Sequence, residues 1–248
     1  MTGWIRGAAR GLSAASLWAP LCTSLWAAGA AAQETRTRFE VEFAGIAAGV
    51  IEMQVARDGP RYAATARGRP ADWLDGLYSA RLTAEGTGAA APAPAPERFA
   101  TDLRFGDDAQ RVEVLWEGGA PGRVAAEPAF RPKPWQIEPA AQTGTADPLS
   151  VAVRLLEGRP PEALCNEAAE VFDGRRRSRV SLGPPAPWKG GWRCLGDWRR
   201  VAGYAPEALM VAPTPVRAYF VRLSDGLAHL SRLEVVTPWG TGIARRAP

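Results

Sequence analysis

The densest group of side chains able to do chemistry is a run of arginines in the second half of the chain. Arg175, Arg177 and Arg179 alternate along the sequence, so a β-strand would project all three from one face. Arg199 and Arg200 follow later and are expected nearby. Guanidinium groups bind carboxylates and phosphates through paired hydrogen bonds. The run indicates a contact site for an anionic partner, and a solvated outer face of the sheet is the more ordinary interpretation.

Nucleophilic catalysis has little support in this sequence. His229 is the only histidine, and no GxSxG motif is present. A serine or cysteine nucleophile needs a base within hydrogen-bonding distance, and the one available imidazole lies inside a predicted strand. The acidic pairs at 72 and 75 and at 107 and 108 lie in predicted turns, where aspartate normally hydrogen-bonds its own backbone. We therefore predict no catalytic residues, no metal site and no cofactor.

Cys165 and Cys194 are the only cysteines after residue 32. An even pair would favour a disulfide if the chain is exported to an oxidising compartment. Two buried thiols, or half of a metal site completed by carboxylates, are the alternatives. A bond that closes a loop of about 30 residues is expected to stabilise the fold by roughly 3 to 4 kcal/mol.

Four tryptophans lie in or beside loops rich in proline and glycine: Trp135, Trp188, Trp192 and Trp239. Aromatic rings at loop ends can line the mouth of a ligand site. They can also simply pack the ends of a barrel. The sequence leaves both interpretations open.

The first 32 residues are typical of a cleaved signal peptide. Arg6 and Arg10 supply a positive start, residues 12–32 are uncharged and mostly apolar, and three alanines precede Gln33. A membrane-spanning helix, or a lipoprotein anchored through Cys22, is the alternative. Residues 33–248 are then expected to form one periplasmic domain without a stable membrane span. The whole chain has a net charge of +4, and residues 33–248 alone have a net charge of about +2. A charge this close to zero argues against a nucleic-acid partner.

Alternating apolar and polar residues predict a mainly β protein. About eleven or twelve short strands are expected, the last of them an edge strand over residues 240–246. Asp173-Gly174 predicts a tight turn between two strands, and residues 203–215 look irregular. Residues 71–76 fit one helical turn. Asp147 is a good N-cap before Pro148, which predicts a helix to about Glu157. The expected fold is a curved antiparallel sheet, or an open half barrel, with one or two short helices packed on it.

Several short motifs resemble an uncharacterised family of Gram-negative periplasmic proteins, domain of unknown function 3108. The resemblance covers about residues 36–247, and its most specific part is the Phe-Asp-Gly-Arg-Arg turn between the cysteines. The motifs are Phe43-Ala44-Gly45 with Gly49, Asp147-Pro148-Leu149-Ser150, Val171 to Arg176, and Val201-Ala202-Gly203-Tyr204 after Cys194. The resemblance implies a periplasmic antiparallel fold and brings no catalytic residues. At the level of fold alone, such proteins are similar to half-barrel carriers of acyl chains.

These observations favour a non-enzymatic protein of the cell envelope that binds a lipid-like or other apolar ligand on the concave face of the sheet. This function predicts an apolar pocket beside the helix. One alternative is an envelope scaffold whose protein partner contacts the strand at Arg175–Arg179. Another is a hydrolase of envelope polymers that uses paired carboxylates.

Overall fold

The predicted strands form one large antiparallel sheet in the computed structural model, which describes residues 33–75, 80–89 and 95–248. The predicted signal peptide, Gly76 of the predicted helical turn, residues 77–79 of the strand expected after it, and residues 90–94 of a loop rich in alanine and proline lie outside the described residues. The strands are β1 (Gln33–Phe43), β2 (Ile46–Asp58), β3 (Arg61–Pro70), β4 (Ala80–Ala89), β5 (Ala95–Phe105), β6 (Asp108–Glu117), β7 (Ala120–Glu127), β8 (Glu167–Phe172), β9 (Arg177–Leu182), β10 (Ala186–Trp188), β11 (Gly191–Ala202), β12 (Thr214–Arg222), β13 (Ala228–Thr237) and β14 (Gly240–Arg246).

The strand order is β7-β6-β5-β4-β3-β2-β1-β14-β13-β12-β11-β9-β8, with β10 paired to β11. Neighbours along the chain are therefore mostly neighbours in the sheet, as a meander requires. The prediction of a mainly β antiparallel fold is confirmed. The prediction that the last strand lies at an edge is wrong, because β14 pairs with β13 on one side and with β1 on the other, from Phe39 opposite Arg246 to Phe43 opposite Gly242.

Three short helices accompany the sheet: α1 (Asp72–Asp75), α2 (Pro148–Leu156) and α3 (Pro206–Leu209). The helical turn predicted near Trp73 is confirmed by α1, and the indole Nε1 of Trp73 donates to the carbonyl of Ala47 at 2.9 Å. The region of α3 was expected to be irregular and contains this single turn instead. No helix among the described residues is long and apolar enough to cross a membrane.

Helix α2 begins where the sequence predicts. The carboxylate of Asp147 accepts hydrogen bonds from the backbone of Leu149 at 2.7 Å and of Ser150 at 3.0 Å, and Pro148 occupies the first turn. These contacts satisfy backbone donors that have no partner inside the helix. Leu149, Ser150 and Val153 are its buried residues, so one stripe of α2 faces the sheet.

The sheet is strongly curved but not closed. Helix α2 contacts β3, β4 and β5 and also β13, which lies several strands away in the sheet order. The turn after β8 reaches across the opening: a Cβ atom on Gly174 would lie 2.6 Å from Cγ1 of Val112 in β6. The outer side of β8 is covered in part, since the backbone of Ala146 bonds Glu170 and Phe172, both at 2.8 Å.

Two apolar cores lie between α2 and the sheet. The first contains Val114 and Phe172, which are fully buried. The second surrounds Cys194, whose sulfur is bonded to that of Cys165 at 1.99 Å, and includes Leu164 and Phe220. The predicted disulfide is therefore confirmed. It fixes the segment after α2 to β11, the third strand from the β8 edge of the sheet.

Candidate functional site

A cavity of about 640 Å³ lies between α2 and the concave face of the sheet. Eight strands contribute to its wall, and they are consecutive in the sheet order from β6 through β1 and β14 to β13. A flat sheet of eight strands would span about 34 Å at the usual strand spacing. One cavity can touch all eight only because the sheet is rolled around it.

The wall is apolar because alternate residues of each strand point inward. Met53, Phe99 and Val112 face the cavity from β2, β5 and β6, Leu230 faces it from β13, and Leu149 covers it from α2. The predicted apolar space beside the helix is thus present. The polar members of the wall are few: Thr101, Gln110, Asp173, Arg175 and Arg176.

A buried polar network closes one side of α2. The hydroxyl of Tyr62 hydrogen-bonds the hydroxyl of Ser150 at 2.5 Å, and that hydroxyl donates to the second carboxylate oxygen of Asp147. Burial raises the pKa of Asp147, although its hydrogen bonds act in the opposite direction. Burial also raises the pKa of Tyr62, and the nearby Asp147 carboxylate adds to that shift. The network orients α2 over the cavity.

Two arginines lie at the mouth of the cavity, in the four-residue turn between β8 and β9. The Asp173 carboxylate accepts from the backbone N–H of Arg175 at 2.9 Å and of Arg176 at 2.7 Å. Gly174 has a φ of 96°, which places it in the region that favours glycine. The predicted hairpin is confirmed, but β9 starts at Arg177, so Arg175 belongs to the turn and not to the strand.

Both mouth arginines rest on aromatic rings. The guanidinium carbon of Arg175 lies 5.2 Å from the ring centre of Phe130, and that of Arg176 lies 5.1 Å from the ring centre of Tyr204. Within the described ranges, neither guanidinium forms an ion pair with a carboxylate. Arg175 is half-buried and Arg176 is exposed. Their hydrogen-bonding edges are therefore available to a ligand, since contact with a ring face uses none of the N–H donors.

More positive charge lies beside this turn. A crevice of about 280 Å³ shares Phe130 and Arg175 with the cavity and is also lined by Arg131 and Lys133. The ammonium of Lys133 lies 5.8 Å from the ring centre of Trp135. The cavity and the crevice together are thus lined by four cations and by one carboxylate, that of Asp173.

Exposed apolar side chains are concentrated at the same end of the sheet. We use the term mouth end for the end of the sheet where β1, β3, β5, β8 and β13 finish. Of the fifteen large apolar side chains exposed among the described residues, eleven lie there: Phe43, Ile46, Trp73, Leu82, Leu103, Phe105, Val201, Leu209, Met210, Val211 and Trp239. Leu82 and Leu103 also line the cavity, so its apolar wall continues to the surface.

The remaining arginines of the predicted contact site do not line the cavity, although Arg200 lies 5.9 Å from the centre of the Tyr204 ring that also supports Arg176. Arg177 and Arg179 both approach Glu170, at 3.0 and 4.0 Å. Arg199 is exposed and lies directly opposite Arg179 in the sheet register. The guanidinium carbon of Arg200 lies 4.9 Å from the Trp198 ring centre. The structure thus divides the predicted arginine site, because Arg175 leaves the strand and faces the cavity.

The four loop tryptophans do not come together, and none of them lines the cavity. Trp135 lines the neighbouring crevice, and Trp239 is 82% exposed at the β13–β14 turn. Trp188 lies 4.3 Å from the Arg193 guanidinium, and Trp192 packs against the core around the disulfide. Trp188 and Trp192 lie in the paired strands β10 and β11, whereas Trp239 lies at the β13–β14 turn, and the hypothesis of an aromatic ligand mouth built from these four stays a prediction.

His229 contacts one carboxylate and packs against a neighbouring loop. Its Nε2 lies 2.7 Å from the Asp225 carboxylate, and its ring lies against the backbone of Gly158, where a Cβ would come within 2.3 Å of Cε1. Asp72 lies 3.4 Å from Arg69. No cluster of three or more His, Cys, Asp or Glu side chains able to hold a metal is found in the described part of the chain.

Sequence reasoning selected Arg175 but missed Arg176 and Phe130 as parts of one site. The arginine run was the signal for Arg176, but a strand there would have turned its side chain away from that of Arg175. No local signal marked Phe130, which lies in a proline-rich loop.

No family model matches this chain, and comparisons with curated proteins and with solved structures found no match either. The resemblance to domain of unknown function 3108 therefore stays a prediction.

Proposed function

We propose that this protein is a non-enzymatic binding protein of the cell envelope, which holds the apolar part of a lipid-like ligand against the concave face of its sheet. The observation that carries the proposal is the apolar cavity of about 640 Å³ under α2. Sites for small molecules typically have volumes of about 300 to 1,000 Å³ and mostly apolar walls with a few polar groups. This cavity has that size and that composition.

An alkyl chain is the ligand that such a wall favours. Each methylene moved from water into an apolar site contributes about 0.8 kcal/mol, so eight methylenes would contribute roughly 6 kcal/mol before the entropic cost of association. The charged wall residues, Asp173, Arg175 and Arg176, lie in the turn at the mouth, where Arg176 is exposed. A ligand with one apolar and one polar end therefore suits the cavity better than a wholly polar one.

The proposal can be tested with N-phenyl-1-naphthylamine, a neutral dye that becomes fluorescent in apolar surroundings. Thr101 lines the cavity on β5, so Thr101→Phe places a phenyl ring inside it. Thr83 lies on the neighbouring strand β4, pairs with Asp102 and points to the other face of the sheet, so Thr83→Phe is the matched control.

We expect saturable dye binding by the natural protein and by Thr83→Phe, and at least about tenfold weaker binding by Thr101→Phe, which corresponds to about 1.4 kcal/mol. Circular dichroism and thermal unfolding check that both variants fold. Equal dye affinity in the two variants, or no saturable binding by the natural protein, would contradict the proposal. Native mass spectrometry of protein purified from its own cells should then show a co-purifying lipid-sized mass that Thr101→Phe lacks.

A further inference from the structure

We infer that Arg175 and Arg176 select ligands whose apolar chain carries a single anionic group, a carboxylate or a phosphate ester. The inference rests on the proposed function and adds the chemistry of the polar end of the ligand. Both arginines line the cavity that would hold the alkyl chain of the ligand. A polar group attached to that alkyl chain near the cavity mouth therefore lies beside them.

The two guanidinium groups are held in place without being neutralised. Phe130 and Tyr204 support them through ring contacts, and neither guanidinium forms an ion pair among the described residues. Arginine in this state keeps its planar set of N–H donors, which matches the two oxygens of a carboxylate or phosphate. A neutral alcohol offers no charge to this pair.

The one carboxylate in the turn does not cancel this preference. One oxygen of Asp173 already accepts the backbone N–H groups of Arg175 and Arg176. Arg131 and Lys133 in the adjoining crevice add further positive charge. The local field at the mouth is therefore positive, and an anion gains from it more strongly where the wall excludes water.

The turn keeps its backbone when the side chains are changed. The Asp173 bonds involve the main chain of residues 175 and 176, and the glycine conformation belongs to Gly174. Arg175→Gln together with Arg176→Gln is thus expected to remove charge and leave the fold intact. Arg36→Gln with Arg61→Gln is the matched control, because these arginines form ion pairs with Glu34 and Glu97 away from the mouth end.

The test measures displacement of N-phenyl-1-naphthylamine by three ligands with the same twelve-carbon chain: dodecanol, dodecanoate and dodecyl phosphate. We expect the natural protein and the Arg36/Arg61 control to bind one or both anions at least about tenfold more tightly than dodecanol. In the Arg175/Arg176 variant, the ratio of anion affinity to dodecanol affinity should fall to about twofold or less. The two anions separate a carboxylate from a phosphate ester.

Added salt gives a second measurement, since it should weaken binding of the anions by the natural protein and leave dodecanol unaffected. Equal affinity for dodecanol and both anions in the natural protein would overturn the inference and leave the proposed function standing. An anion preference that survives in the Arg175/Arg176 variant would also overturn it. Failure of the natural protein to bind dye, dodecanol and both anions would overturn both proposals together.

Discussion

Replacing Gly174 by alanine tests how the β8–β9 turn reaches across the opening of the sheet. An alanine at φ 96° is strained, and this conformation costs about 1 to 2 kcal/mol. The new methyl group would also lie 2.6 Å from Cγ1 of Val112 and 3.0 Å from Cγ2 of Val114, which are both buried. Overpacking of this kind costs about 1 to 3 kcal/mol. We therefore expect Gly174→Ala to lower the free energy of unfolding by about 2 to 5 kcal/mol.

Gly226→Ala provides the matched control. Gly226 has a φ of 80°, but a Cβ there would meet nothing within 4 Å. Its substitution should lower the free energy of unfolding by only about 1 to 2 kcal/mol, from backbone strain alone. The difference between the two variants therefore isolates the contact of the turn with β6.

Urea unfolding followed by tryptophan fluorescence measures both values. A double-mutant cycle adds Val112→Ala, which removes the nearest methyl group and should reduce the effect of Gly174→Ala by about 1 kcal/mol or more. The turn does not pack against β6 as described if Gly174→Ala lowers the free energy of unfolding by no more than Gly226→Ala does. The same conclusion follows if Val112→Ala leaves the effect of Gly174→Ala unchanged. The location of Arg175 and Arg176 at the cavity would then lose its support.

Three further substitutions test other parts of the fold. Burial raises the pKa of Asp147 in the folded protein above the ordinary aspartate pKa of about 4. The stabilisation that accompanies this shift is fully present below the ordinary pKa and is lost as the pH rises through the raised pKa of the folded state. The unfolding free energy of the natural protein should therefore fall relative to that of Asp147→Asn as pH increases from 4, and a pH-independent difference would contradict this. Replacing Cys165 and Cys194 together by alanine should lower the unfolding free energy by about 3.6 kcal/mol, the chain-entropy value for a loop of about 30 residues; a loss below about 1 kcal/mol in urea unfolding would refute it. Gly158→Ala should force the His229 ring from its place, lowering the thermal midpoint, and His229→Ala in the same chain should restore part of the loss.

The local features of this fold could be predicted from the sequence because short segments determine them. Asp147 and Pro148 specify the start of α2 through hydrogen bonds within three residues. The alternation of apolar and polar residues likewise specifies most strands through residues that are close in sequence. The disulfide followed from arithmetic, since only Cys165 and Cys194 were available after residue 32.

The features that depend on distant residues could not be predicted. Alternation over residues 240–246 predicts a strand but cannot say whether that strand has one neighbour or two. The cavity requires the inward faces of eight strands to be rolled around α2. The sequence of any single strand does not indicate this curvature. Arg175 was assigned to a strand because the alternating pattern continues through it, whereas the Asp173 hydrogen bonds extend the turn to Arg176.

The pairing of β1 with β14 has a consequence for the order in which this protein can be assembled. Phe39 and Arg246 are partners although about 200 residues separate them, so the entropy of closing that loop must be overcome before the pair forms. During synthesis, β1 to β7 can form neighbour by neighbour, but β1 keeps one unpaired edge until β14 has left the ribosome. Such an edge can pair with other chains. Because Phe39 and Ala244 both line the cavity, its wall is completed only when β14 has been made, and a product that lacks β14 would have neither the complete wall nor a protected β1 edge.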